Sequence, residues 1–160
     1  MALAKIGALD VLFRLFPKVL TPPAVQHELV TEGLRLGAPD AVLLQSRYES
    51  GELAVVSPRD ALLPSPSPLG PGEEQSILLA LERGATWLLI DDLDARQVAL
   101  NSFAVSGATA QIKGTLGVIL AAREDGALTK EEAIRLVEAL RNRPDIWISG
   151  KLCDHALSLL

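Results

Sequence analysis

A single cysteine, Cys153, stands in 160 residues. That excludes an intrachain disulfide and any cysteine-rich zinc site, and it agrees with a reducing, cytoplasmic setting. Histidine is equally scarce, and His27 and His155 lie too far apart in sequence to suggest a zinc pair. Aromatic residues make up 4% of the chain, too few for a platform on which single-stranded bases stack. Although 49% of the residues are hydrophobic, every long apolar run is broken by a charge, a glycine or a proline before the ~20 residues that a membrane helix needs. A soluble protein with no membrane partner is expected, and residues 1–16 lack the basic start, apolar middle and cleavage site of a signal peptide. Positive charge is also in short supply: 15 Lys and Arg face 20 Asp and Glu, the net charge is -5 and the pI is near 5.0. This balance argues against a broad basic face as the main grip on nucleic acid. It leaves a nuclease open, because enzymes that hold Mg²⁺ or Mn²⁺ cluster carboxylates, and such clusters push the total charge negative.

What the chain does contain reads as one domain over residues 1–160, at 17.0 kDa long enough to bury a core unaided. Helical spacing of Leu3, Ile6, Leu9, Leu12, Phe13 and Phe16 predicts a helix over residues 2–16, stopped by Pro17. A short extended segment over 18–21 leads into a helix after Pro22-Pro23 that ends near Gly33 or Gly37, and a further helix is expected over 40–48. Residues 53–56 read as a buried strand. Five of the ten prolines fall between Ser57 and Gly72, which marks 57–72 as a proline- and serine-rich surface loop. Helices are expected over 73–83, 94–101, 114–126, 129–142 and 150–159, and strands over 87–90 and 110–112. Thr129 with Glu132 three places on is a capping box. Short apolar strands alternating with amphipathic helices imply an α/β fold, a three-layer α/β/α sandwich with a mainly parallel sheet.

In such sheets ligands bind at the carboxyl ends of the strands. Asp91 and Asp92 follow directly on the apolar run Trp87-Leu88-Leu89-Ile90, where strand propensity does not explain two adjacent like charges. Helix capping accounts for one acid of the pair, not both. Glu73 and Glu74 open the next helix upstream, and the positive helix end alone suffices to explain them. If that helix runs antiparallel to the strand after it, all four carboxylates approach one end of the sheet, which is costly without a cation. Glu28 is a fifth candidate. Arg96, Lys113 and Arg123 supply scattered positive charge, and Gly114-Thr115-Leu116-Gly117 lacks the Lys-Ser/Thr of a phosphate loop, though Thr115 at a helix start suits contact with a phosphate.

Taken together, KIGALDVL, PPAVQHELV, GEEQSILLALERGATWLLIDDLDAR, KGTLGVILAAREDG and the WIS segment before the last helix resemble the PIN-domain family, in its VapC-like branch of toxin-type ribonucleases. The resemblance covers nearly the whole chain. It implies a Rossmann-like α/β/α sandwich and a metal-dependent endoribonuclease that hydrolyses RNA with Mg²⁺ or Mn²⁺, commonly as a homodimer and often neutralised by an antitoxin protein. Carried over by position, it makes Glu28, Glu73 and Asp91 the catalytic acids, with Glu74 and Asp92 as further metal ligands and Thr115, Arg96 and Lys113 near the substrate. The family's opening strand, with its Asp, has no counterpart here: residues 1–7 already correspond to the first helix. The expectation is therefore a site one ligand short, in a chain whose recorded start lies downstream of the real one or in a shortened relative. The alternatives to the nuclease are a catalytically inactive protein-binding module of the same fold and a receiver-type phospho-acceptor pocket, in which Lys113 would have to supply the partner lysine.

Overall fold

The structure is a computed structural model describing residues 1–59 and 69–160, so most of the loop expected over 57–72 lies outside the described residues. In chain order the elements begin with α1 (Ala2–Lys5), α2 (Asp10–Leu15), β1 (Val19–Thr21), α3 (Pro23–Gln26), a wider π-helical stretch (His27–Glu32), α4 (Gly33–Arg35), α5 (Pro39–Glu49) and β2 (Leu53–Val55). There follow α6 (Pro71–Arg83), β3 (Trp87–Leu89), α7 (Leu93–Ser106), β4 (Gln111–Lys113), α8 (Thr115–Glu124), α9 (Lys130–Arg141) and α10 (Gly150–Leu159). No helix among the described residues is long and apolar enough to cross a membrane.

Two compact units make up the chain, one of Met1–Val19 with Gly114–Leu160 and the other of Leu20–Lys113. The first unit is helical, with α8 packing against α2, α9 and α10. Its core holds Leu9, Leu12, Val118, Ile119, Val137, Leu140 and Cys153, all essentially removed from solvent. The single helix expected over 2–16 is broken in two, because Gly7 adopts a left-handed φ of 68° that a residue with a Cβ rarely takes. A polar clasp then ties α1 to the segment after α9. The Arg143 guanidinium donates to both Asp145 carboxylate oxygens at 2.9 Å and to the Lys5 carbonyl at 2.8 Å, while Lys5 Nζ donates to the Asp145 carbonyl at 2.8 Å.

The strands form two pairs and lie in the second unit, apart from Val19 at the start of β1. β1 pairs with β2, and the Val56 N–H extends that contact to the Thr21 carbonyl at 2.9 Å. β3 and β4 run parallel with Leu88 opposite Ile112, and the Ile90 N–H donates to the Lys113 carbonyl at 2.9 Å beyond the strand end. The fold is thus mixed α/β with the parallel pairing expected, in short pairs of three-residue strands. Around the parallel pair, α6 and α7 bury Ile77, Leu78, Ala95, Ala99 and Phe103 against Leu88 and Ile90. Burial on this scale stabilises by ~1.5–3 kcal/mol for each large apolar side chain. α7 runs to Ser106, past the end expected near Asn101, because Ser102 and Phe103 continue its buried face until Gly107 turns left-handed at φ 70°.

Candidate functional site

Helix α6 starts at Pro71, in the first helical position where the missing N–H of proline costs nothing. The expected start at Glu73 is two residues late. Glu73 instead occupies the third position, and its Oε2 reaches back to accept the Gly70 N–H at 3.1 Å, satisfying a donor at the helix entrance. The backbone at Gly72 is closely approached: a Cβ built there would lie 3.2 Å from Glu28 Oε2 and 3.3 Å from Val25 Cγ2. That approach brings the Glu28 carboxylate against the first turn of α6. The same two segments are tied by the Ala24 N–H, which donates to Gln75 Oε1 at 3.1 Å.

Asp91 and Asp92, both exposed, follow β3. Asp92 is the N-cap of α7, its Oδ1 accepting the Ala95 N–H at 2.8 Å. Capping therefore accounts for Asp92, while Asp91 is the exposed acid directly after the strand. Arg96 sits in the first turns of α7, half-buried. Lys113 is drawn back from the strand end, its ammonium 5.3 Å from the centre of the Trp87 ring, a cation–π contact along the sheet face. Thr115 is buried in the other unit, at the start of α8.

The structure thus joins Glu28 to the opening of α6, beside Glu73 and Glu74, and sets Asp91 and Asp92 at the end of β3. Among the described residues no three His, Cys, Asp or Glu side chains converge on a point where a metal ion could be held. With Glu73 and Asp92 turned to backbone N–H groups, the carboxylates as arranged do not fit a complete divalent-cation centre. Cys153 is fully buried and burial pushes its thiol pKa up, which marks a structural thiol and not a nucleophile.

Residues that the sequence did not single out lie beside this site. A cavity of about 290 Å³ opens along one side of α6, with Glu74, Gln75 and Leu78 on the helix face it touches and Pro23 and Arg59 across from them. Gln75 directly follows the acid pair, and that adjacency was the only available signal. Arg59 sits in the proline-rich stretch and gave none.

The profile of the PIN domain matches residues 1–160, and the chain belongs to the PIN-domain family. Neither a curated protein nor a solved structure shows a significant match. Membership brings a nuclease-type function in general terms, directed at RNA, in a family that generally uses divalent metals.

Proposed function

We propose that this chain is a toxin-type endoribonuclease that hydrolyses RNA phosphodiesters with Mg²⁺ or Mn²⁺, acting in the cytoplasm as a homodimer held in check by an antitoxin protein. The observation that carries this reading is the match to the PIN domain over the whole chain. That one match spans both compact units, which supports their working as a single domain. Glu28, Glu73 and Asp91 are the acids assigned to catalysis and metal, with Glu74 and Asp92 as neighbouring ligands and Thr115, Arg96 and Lys113 assigned to the substrate. Support for the first of these comes from the contact of Glu28 with the opening of α6. The test is cleavage of RNA in Mn²⁺ or Mg²⁺, which stops when the ion is chelated; cleavage that chelation leaves untouched contradicts the assignment.

One observation favours a second reading, a catalytically inactive PIN-like module that binds protein. Glu73 and Asp92 are engaged with backbone donors, and no three acids converge among the described residues. Calorimetric titration with Mn²⁺ separates the two: tight binding speaks for the nuclease, and partner binding without metal affinity speaks for the module.

A further inference from the structure

Helix geometry separates Glu73 from its neighbour. Successive residues project about 100° apart around an α-helix, so Glu73 and Glu74 leave α6 in different directions. Glu73 turns to the Gly70 N–H, whereas Glu74 lies with Gln75 and Leu78 along the cavity of about 290 Å³. The lining combines two kinds of surface. Pro23, Pro71 and Leu78 give apolar walls, and Glu74, Gln75 and Arg59 give a carboxylate, an amide and a guanidinium. Two of these residues are anchored by hydrogen bonds. Gln75 Oε1 is committed to the Ala24 N–H, which leaves the amide NH₂ as the donor toward the cavity. The Arg59 backbone is fixed by its N–H to Glu82 Oε1 at 2.6 Å.

We infer that this cavity receives one unpaired guanine base of an RNA chain. A flat heterocycle suits apolar walls, its π-face suits the planar guanidinium of Arg59, and a volume near 300 Å³ is at the small end of ligand pockets. Donor and acceptor order selects the base. Along its pairing edge guanine offers two adjacent donors, N1–H and N2–H₂, which a carboxylate accepts as a charge-assisted pair, and an acceptor, O6, which the Gln75 NH₂ meets. Adenine and cytosine set ring-nitrogen acceptors against the Glu74 carboxylate, and uracil brings only one donor. The inference rests on the RNA-directed reading above, names the base that this reading leaves open, and gives Glu74 to that base in place of the metal.

The test is an NMR titration of the full chain with 5′-GMP, and separately with 5′-AMP, 5′-CMP and 5′-UMP. The expected result is displacement of the Ala24 amide, Gln75 side-chain and Leu78 methyl signals by GMP, with binding at least ~10-fold tighter than for the other three, the worth of one charge-assisted bond. Glu74→Gln removes that preference, and Gln75→Ala weakens GMP with the Ala24 amide as a check that the fold persists. Equal response to all four nucleotides, or none at these signals, overturns the guanine site. A selective GMP response without any RNA cleavage leaves this site standing and removes only the nuclease; RNA cleavage without a GMP response does the reverse.

Discussion

Asp92 shows how one side chain separates a structural role from a chemical one. Its carboxylate accepts the Ala95 N–H at 2.8 Å, a bond that asparagine can also make and alanine cannot. Asp92→Ala should therefore lower unfolding stability by ~1 kcal/mol, with Asp92→Asn close to the parent in thermal melting. Equal loss in both variants would show that charge, not capping, is what this position supplies. Gly72 makes a second test. A methyl there meets Glu28 Oε2 at 3.2 Å and Val25 Cγ2 at 3.3 Å, and the glutamate end can swing away more easily than the branched valine. Gly72→Ala should destabilise by ~1 kcal/mol despite its better helix propensity, since overpacking typically costs 1–3 kcal/mol; an unchanged denaturation midpoint contradicts so close an approach. The acids themselves were legible from composition and position. Which of them caps a helix was not, because Glu73 and Glu74 look alike in sequence and differ only once the helix is known to start at Pro71.

At the scale of elements, the signals that survived were those with a local mechanism. Thr129 and Glu132 form the box read from their spacing: Thr129 Oγ1 accepts the Glu132 N–H at 3.1 Å and Glu132 Oε2 accepts the Thr129 N–H at 2.7 Å. Thr129→Ala should cost ~1 kcal/mol, measured by chemical denaturation. The break between α1 and α2 was hidden because Ile6 and Leu9 keep the helical period straight through Gly7, and only the left-handed backbone at that residue interrupts it. The clasp that holds α1 joins Lys5 to Arg143 and Asp145, residues too distant in sequence to pair by inspection. The Arg143 guanidinium, with Lys5 beside it, holds the Asp145 carboxyl well below the usual carboxylate range. A depressed folded-state pKa contributes stability that is fully present above the unfolded value and is lost as pH falls through the folded one. The stability difference between the parent and Asp145→Asn should accordingly stay constant from neutral pH down to about pH 5 and shrink below about pH 4. A difference that grows on acidification contradicts the clasp.

For the whole molecule, the net charge of -5 sets an acidic chain of the PIN-domain family against the polyanion that the proposed function requires. Such a pairing works only where local charge is reversed, which is the service that a bound divalent ion renders in this family. The α/β class was legible because Trp87-Leu88-Leu89-Ile90 is too short for a helix and too apolar for an exposed strand, and Leu88 and Ile90 are indeed buried beside the parallel partner β4. The division into two units was not, since residues 1–19 find their packing partners after residue 113. Nor was the place of Arg59 beside the cavity along α6. Asp91, the exposed acid that follows β3, is the residue that the proposed nuclease assigns to catalysis. The most direct measurement is the cleavage rate of a labelled RNA in Mn²⁺ by the parent chain and by Asp91→Asn, with circular dichroism to confirm that both are folded. The predicted result is a metal-dependent rate that falls about a hundredfold or more in the variant. Equal rates in the two folded proteins would contradict the assignment of Asp91.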